Sequence, residues 1–224
     1  MKAKDVMVRD VVTADPDMDV VDAIKLLAEH DVSALPVVDE DGTVVGVISE
    51  ADLVPRVEGD AATQRPWWLE ALTPASTLAQ AFAKNHGRRV EEVMSTQVVS
   101  ASEDTPLAEI AALLEKHRIK RVPIIEDGEL VGIVSRSNLI QAMATSGTPS
   151  NVITDSDRSI RLDLLSRLGE QSWTDFGSRN VIVTDGIVHL WGLVGSPEER
   201  KALVALAESV PGATRVSDEM IPAY

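Results

Sequence analysis

Three short stretches carry side chains with the means to do chemistry. In Gly46-Val-Ile-Ser49-Glu-Ala-Asp52, a serine stands three residues before an acid where a helix is expected to begin. Free backbone N–H groups at such an N-terminus, together with the helix dipole, favour a phosphate beside Ser49. The carboxylate of Asp52, one turn on, can accept two hydrogen bonds from a diol such as that of a ribose. The plainer reading is a capped helix with an acid in its first turn, where negative charge suits the dipole. Gly132-Ile-Val-Ser135-Arg-Ser-Asn138 repeats the pattern with an amide, which still meets a hydroxyl but is neutral and a poorer double acceptor. The third stretch, His117-Arg118-Ile-Lys120-Arg121, gathers basic side chains in a chain of net charge −15. A bound phosphate would balance them, as would pairing with the plentiful surface carboxylates.

The remaining chemistry is sparse. No Walker loop, G-x-S-x-G elbow or H-E-x-x-H zinc motif occurs in the sequence. The histidines His30, His86, His117 and His189 lack ligand spacing and read as surface or helix-end residues, His189 as a half-exposed residue of a strand beside Trp191. Cysteine is absent, which excludes disulfides, thiolate metal sites and a cysteine nucleophile, and fits a reducing compartment. The expectation is a protein that binds and does not catalyse, with no dedicated metal cage. No apolar run nears the roughly 20 residues of a membrane span, and MKAKDVMVRDVV lacks a signal-peptide core, so a cytoplasmic protein is expected. The acid excess disfavours nucleic acid and anionic membrane surfaces alike, and suits solubility.

The elements that must position these residues come in duplicate. His30–Leu53 and His117–Leu139 align with His30 on His117, Pro36 on Pro123, Gly46 on Gly132 and Ser49 on Ser135. Each reads as a helix end, a strand, an Asp-Gly turn, a second strand and a new helix starting at serine. Internal repetition of this kind defines an α/β (α+β) architecture of two β-α-β-β-α units. In the first unit Val11–Ala14 is an expected strand. The helix Val20–His30, capped by Asp19, would bury Val20, Ala23, Ile24, Leu27 and Ala28. In the second unit Val98–Ala101 is the corresponding strand. Thr105-Pro106 opens a helix whose inward residues are Leu107, Ile110, Ala111 and Leu114.

The pattern Val-Met at the start, then h-h-P-V-V-D, then G-h-h-S-x-x-D resembles the CBS domain, whose tandem pairs form a Bateman module. The resemblance covers Met1 to Met143 apart from an insert, and repeats in phase. It implies a pseudo-two-fold pair that binds an adenine nucleotide or another adenosyl ligand in the cleft between the repeats. Carried over by resemblance, Ser49, Asp52, Ser135 and Asn138 take the ribose and phosphate roles. His117, Lys120 and Arg121 reach phosphates, as the matching segment does in the γ subunit of AMP-activated protein kinase. Thr13, Ala34, Val47, Ser100 and Ile133 line the same sites. In the first repeat His30-Asp31-Val32-Ser33-Ala34 has lost the positive charge, so the two sites are expected to be unequal. One nucleotide with its ribose on Asp52 and its phosphates near Arg121 is the expected arrangement. AMP, ADP or ATP would carry Mg²⁺, if any, on its own phosphates. Bateman modules associate as disc-like dimers, so a homodimer is implied.

The boundaries read as 1–58 for the first repeat, 59–90 for a helical insert with Trp67-Trp68, 91–145 for the second repeat, 146–154 for a linker and 155–224 for a last domain. The tryptophan pair suits either a partner-binding anchor or packing of the insert on its own module. In the last domain a helix near Arg158–Gly169 precedes two alternating strands joined by Asp185-Gly186. A second helix capped at Ser196-Pro197 and a final strand follow. This α-β-β-α-β order, with V-x-V-x-D-G-x-V-x-L-x-G-x-V, resembles the BON domain, a small lipid- or surface-associated module. The combination implies a stress-responsive bacterial regulatory sensor, with BON as output or localisation module. The alternative is a dimeric scaffold with empty CBS clefts whose BON domain holds a protein or envelope partner.

Overall fold

The computed structural model describes residues 1–57, 87–145, 153–174 and 181–223. The expected insert helices, the Trp67-Trp68 pair and His86 lie outside these residues. The first described elements are α1 (Ala3–Val6), α2 (Val20–Glu29), β1 (Ala34–Val38), β2 (Val44–Ser49) and α3 (Glu50–Val57). Then come α4 (Val90–Val93), α5 (Leu107–Lys116), β3 (Arg121–Glu126), β4 (Glu129–Ser135) and α6 (Arg136–Thr145). The last set is α7 (Asp155–Gly169), β5 (Val181–Thr184), β6 (Ile187–Val194), α8 (Pro197–Glu208) and β7 (Arg215–Pro222).

Packing gathers the chain into two units. One holds Met1–Val11, Ser100–Glu126 and Val131–Tyr224, hereafter unit 1; the other, unit 2, holds Val12–Val99 and Asp127–Leu130. The segment ahead of each repeat therefore packs with the other repeat. Val6 and Met7 join Ile110, Leu114, Val122, Ile124 and Val134 in one core. Val90 and Val93 join Val20, Ala23, Leu27, Leu35, Val37 and Ile48 in the other.

Inside unit 2, β1 and β2 form an antiparallel hairpin with Ala34 opposite Ser49. The Asp39 carboxylate accepts the N–H groups of Asp41 and Thr43 and fixes the turn, where Gly42 has a positive φ of 82°. The expected strands Val11–Ala14 and Val98–Ala101 shrink to single parallel bridges, Ala14 to Val37 and Ala101 to Ile124. Proline is the cause. Ala14 donates to the Pro36 carbonyl and Ala101 to that of Pro123, and the next rung would need an N–H that each proline lacks. Asp19 caps α2 by accepting the Val21 N–H at 2.8 Å, as expected. The buried stripe of α2 is narrower than expected: Val20, Ala23 and Leu27 are inside, while Ile24 is 45% exposed. In α5, Ile110 and Leu114 are buried and Ala111 faces out.

One glycine in each repeat admits a close crossing by the exchanged segment. A Cβ on Gly132 would lie 2.8 Å from the backbone oxygen of Val8 and 2.7 Å from the Met7 sulfur. On Gly46 it would strike the end of the Met94 side chain, with the Ser95 oxygen at 3.2 Å. A thioether can swing aside and a backbone carbonyl cannot. Gly132→Ala is therefore expected to cost about 2–3 kcal/mol and Gly46→Ala about 1 kcal/mol, read as denaturant midpoints at constant m-value.

The C-terminal part of unit 1 follows the expected α-β-β-α-β order. Its sheet runs β5-β6-β7, with β5 antiparallel and β7 parallel to the central β6. Ile160, Leu164, Val183, Leu190, Leu203 and Met220 form the core under α7 and α8. The Asp185-Gly186 turn has φ of 52° and 72°, the mirror-image geometry that suits a two-residue hairpin. Ser196 caps α8 ahead of Pro197, as expected. Helix α7 begins three residues earlier than expected because Thr154 and Asp157 form a reciprocal capping box.

Asp157 also ties α7 to the sheet, accepting the Gly186 N–H at 2.7 Å. Burial pushes its carboxyl up, but the donors from Gly186, Thr154 and Asp185 prevail and hold it below the ordinary 3.8. A depressed folded-state pKa stabilises above the unfolded value and is lost as pH falls through the folded one. Thermal midpoints measured against pH should fall on the acid side of about pH 4, and Asp157→Asn should flatten that limb.

Candidate functional site

The Ser-x-x-Asp and Ser-x-x-Asn stretches sit at matching junctions. In unit 2, β2 ends at Ser49 and α3 begins at Glu50. The Glu50 N–H donates to the Ser33 carbonyl at 3.1 Å, so the residue just before β1 anchors the helix start. Asp52 folds back and accepts both the N–H and the hydroxyl of Ser49 on Oδ2, at 3.1 and 2.7 Å. Its other oxygen accepts the hydroxyl of Ser95 at 3.0 Å. Ser95 is held there because its backbone and that of Val47 exchange both hydrogen bonds, at 3.0 and 2.9 Å. Ala34 lies across the ladder from Ser49, and Thr13 precedes the bridge residue Ala14. A carboxylate fixed by three donors has little freedom to swing, which presents its remaining lone pairs in a set direction.

Unit 1 repeats the arrangement. Asn138, only 3% exposed, accepts the Ser135 N–H and hydroxyl on Oδ1 at 2.8 and 2.7 Å. Its own N–H donates back to the Ser135 hydroxyl at 3.3 Å. The amide thus keeps the local geometry of the acid while removing the charge. Ile133 and Val8 exchange backbone hydrogen bonds at 2.8 and 2.9 Å, so Val8 stands where Ser95 stands in unit 2. The Arg136 N–H donates to the Lys120 carbonyl, and Arg121 opens β3. His117 ends α5 as His30 ends α2, and the residues after them, Arg118 and Asp31, share a left-handed backbone at φ 54° and 48°. Ser100 precedes the bridge residue Ala101.

Unit 2 therefore brings together Ser49, Asp52, Val47 and Ala34, and unit 1 brings together Ser135, Asn138, Ile133 and Lys120. Asp52 and Arg121, the pair expected to share one nucleotide, belong to different units. Ser95 was missed by sequence reasoning; the signal was its place directly after Val93-Met94, the counterpart of Val6-Met7. His189 is buried and not half-exposed as expected. It is only 8% exposed, because β6 is the central strand, with Nε2 3.2 Å from the Thr184 hydroxyl and Nδ1 3.2 Å from Glu219. Among the described residues no cluster of three or more potential metal ligands is found. None of the described helices is long and apolar enough to cross a membrane.

Comparison with known proteins places these units. The CBS domain family model matches residues 3–59 and 90–145, and the BON domain model matches residues 156–221. Protein MJ1426 of Methanocaldococcus jannaschii is 34% identical over 154 residues, which span 64% of this chain and 91% of that protein. The chloroplastic CBS domain-containing protein CBSX2 of Arabidopsis thaliana is 31% identical over 133 residues, 57% of this chain and 56% of that protein. A crystal structure of CBSX2 in complex with AMP superposes with a TM-score of 0.52 at 27% identity, covering 66% of this chain and 98% of that one. The chain belongs to the CBS-domain family, as a tandem CBS pair followed by a C-terminal BON domain.

Proposed function

We propose that this protein is a non-catalytic regulatory sensor for an adenine nucleotide or another adenosyl ligand. The observation that carries the reading is the Asp52 carboxylate, fixed by Ser49 and Ser95 at the start of α3. The AMP complex of the similar CBSX2 supports it. Ribose hydroxyls are assigned to Asp52 in unit 2. In unit 1, phosphate oxygens are assigned to His117, Lys120 and Arg121, with Asn138 a neutral partner for a hydroxyl. Thr13, Ala34 and Val47 complete the walls in unit 2, and Ser100, Ile133 and Ser135 those in unit 1. Mg²⁺, where present, would arrive on the ligand's phosphates. A homodimer is part of the proposal: Val21 and Ile24 on α2 are 57% and 45% exposed, and Ile140 and Met143 on α6 are 66% and 76% exposed. BON is the output or localisation module, acting in the cytoplasm.

One observation favours the scaffold reading. Leu193 and Ile221 are direct neighbours across β6 and β7, 67% and 60% exposed, and offer a partner an apolar spot. Calorimetric titration of the full chain with AMP, ADP, ATP, NAD and S-adenosylmethionine separates the two. Saturable heat from at least one adenosyl compound is expected of the sensor; none from any of them would leave the scaffold.

A further inference from the structure

The BON domain grips the chain at a point where unit 1 builds its own candidate ligand site. Arg161, on α7, is 3% exposed. Its Nε donates to the Val181 carbonyl of β5 and its Nη2 to the Met7 carbonyl, each at 2.9 Å. Beside it, Arg158 Nε donates to the fully buried carboxylate of Asp5 at 2.7 Å. Ile182 of β5 enters the core that holds Val6 and Met7. Burial draws the Arg161 guanidinium down to about 10, with the charge of Arg9 adding to the effect and that of Asp5 opposing it. Burying a cation to hold two carbonyls costs desolvation that an apolar side chain of the same size would avoid.

What Arg161 holds is a junction. The Met7 side chain is fully buried, its sulfur over Gly132 of β4. One residue on, Val8 exchanges both backbone hydrogen bonds with Ile133. Two residues beyond Ile133, Ser135 binds Asn138. The guanidinium is thus one residue from the bridge that seats β4, and β4 ends in the candidate site.

We propose that Arg161 is a positioning residue: it holds Met7, and through the Val8–Ile133 bridge the β4 end, so that BON docking and occupancy of the unit 1 site are coupled. The choice of ligand rests on the adenosyl reading; the positioning does not. By linkage, if BON docking changes the affinity for a ligand at the β4 end, that ligand changes BON docking by the same factor.

Amide hydrogen exchange on the full chain, wild type and Arg161→Met, tests both parts. Without ligand, the variant should speed exchange at the Val8 and Ile133 amides about tenfold while Val188, in the BON core, keeps its protection. With saturating AMP, the wild type should change protection along 155–169, and Arg161→Met should lose that response and bind AMP several-fold less tightly. Unchanged Val8 and Ile133 exchange in the variant overturns the positioning role. AMP binding that leaves 155–169 unchanged overturns the coupling. If Arg161→Met fails to fold, Arg161→Lys, which keeps the charge and loses the fork, takes its place with the same expectations. If AMP binds nowhere, the adenosyl reading fails, and the ligand-free comparison still decides whether Arg161 positions the bridge.

Discussion

Asp5→Ala should lower the stability of unit 1 by about 3 kcal/mol, the loss of two hydrogen bonds to a charged, buried acceptor. The Asp5 side chain is fully buried and accepts both the Lys2 N–H and Arg158 Nε at 2.7 Å. Alanine would remove the acceptor of the Lys2 N–H at the start of α1 and leave Arg158, 26% exposed at its side chain, with a lost partner. Arg158 keeps Asp155 at 2.8 Å, but Asp155 is fully exposed and such pairs contribute little. Asp5→Asn should cost less, because the amide oxygen still accepts from Lys2. The check is a pair of denaturation curves with the Arg158→Ala variant added. The double variant should lose less than the sum of the two singles, the mark of a direct interaction.

The second large effect concerns ligand. Asp52→Ala should weaken adenosyl-ligand binding by a factor of about 10–100, the loss of hydrogen bonds to a charged acceptor. Ser49 and Ser95 would also lose the acceptor that orients them. Asp52→Asn should weaken binding less, because the unit 1 copy shows that an amide at this position keeps the Ser-x-x-Asn geometry. If alanine and asparagine weaken binding equally, charge and not geometry is what the ligand reads. Calorimetry on the three proteins, with far-UV circular dichroism as a control for folding, separates these outcomes.

Much of this was legible in the sequence, and for identifiable reasons. The duplicated stretch and its Asp-Gly turns announced the repeat, because a positive φ narrows the residue choice at such turns. The Ser-to-Asp spacing put both groups on one turn of helix, where they indeed meet. What was not legible depends on tertiary packing. Nothing local in Met1–Val11 says that it packs with the second repeat. Arg161 lies in a helix dense with Arg and Asp, and composition alone marks it as a surface residue. Ile24 follows the helical period of the buried stripe and yet faces out. The shortened first strands could have been foreseen, since Pro36 and Pro123 stand where a parallel neighbour needs an N–H.

Where an adenosyl ligand touches the chain decides between a sensor and a scaffold. Backbone amide shifts of the full chain titrated with AMP are the measurement. Saturable shifts are expected centred on Ser49, Asp52 and Ser95, with a second set at Lys120, Arg121, Ser135 and Asn138. Saturable binding that moves none of these amides, or an absence of shifts throughout, would overturn the sensor function.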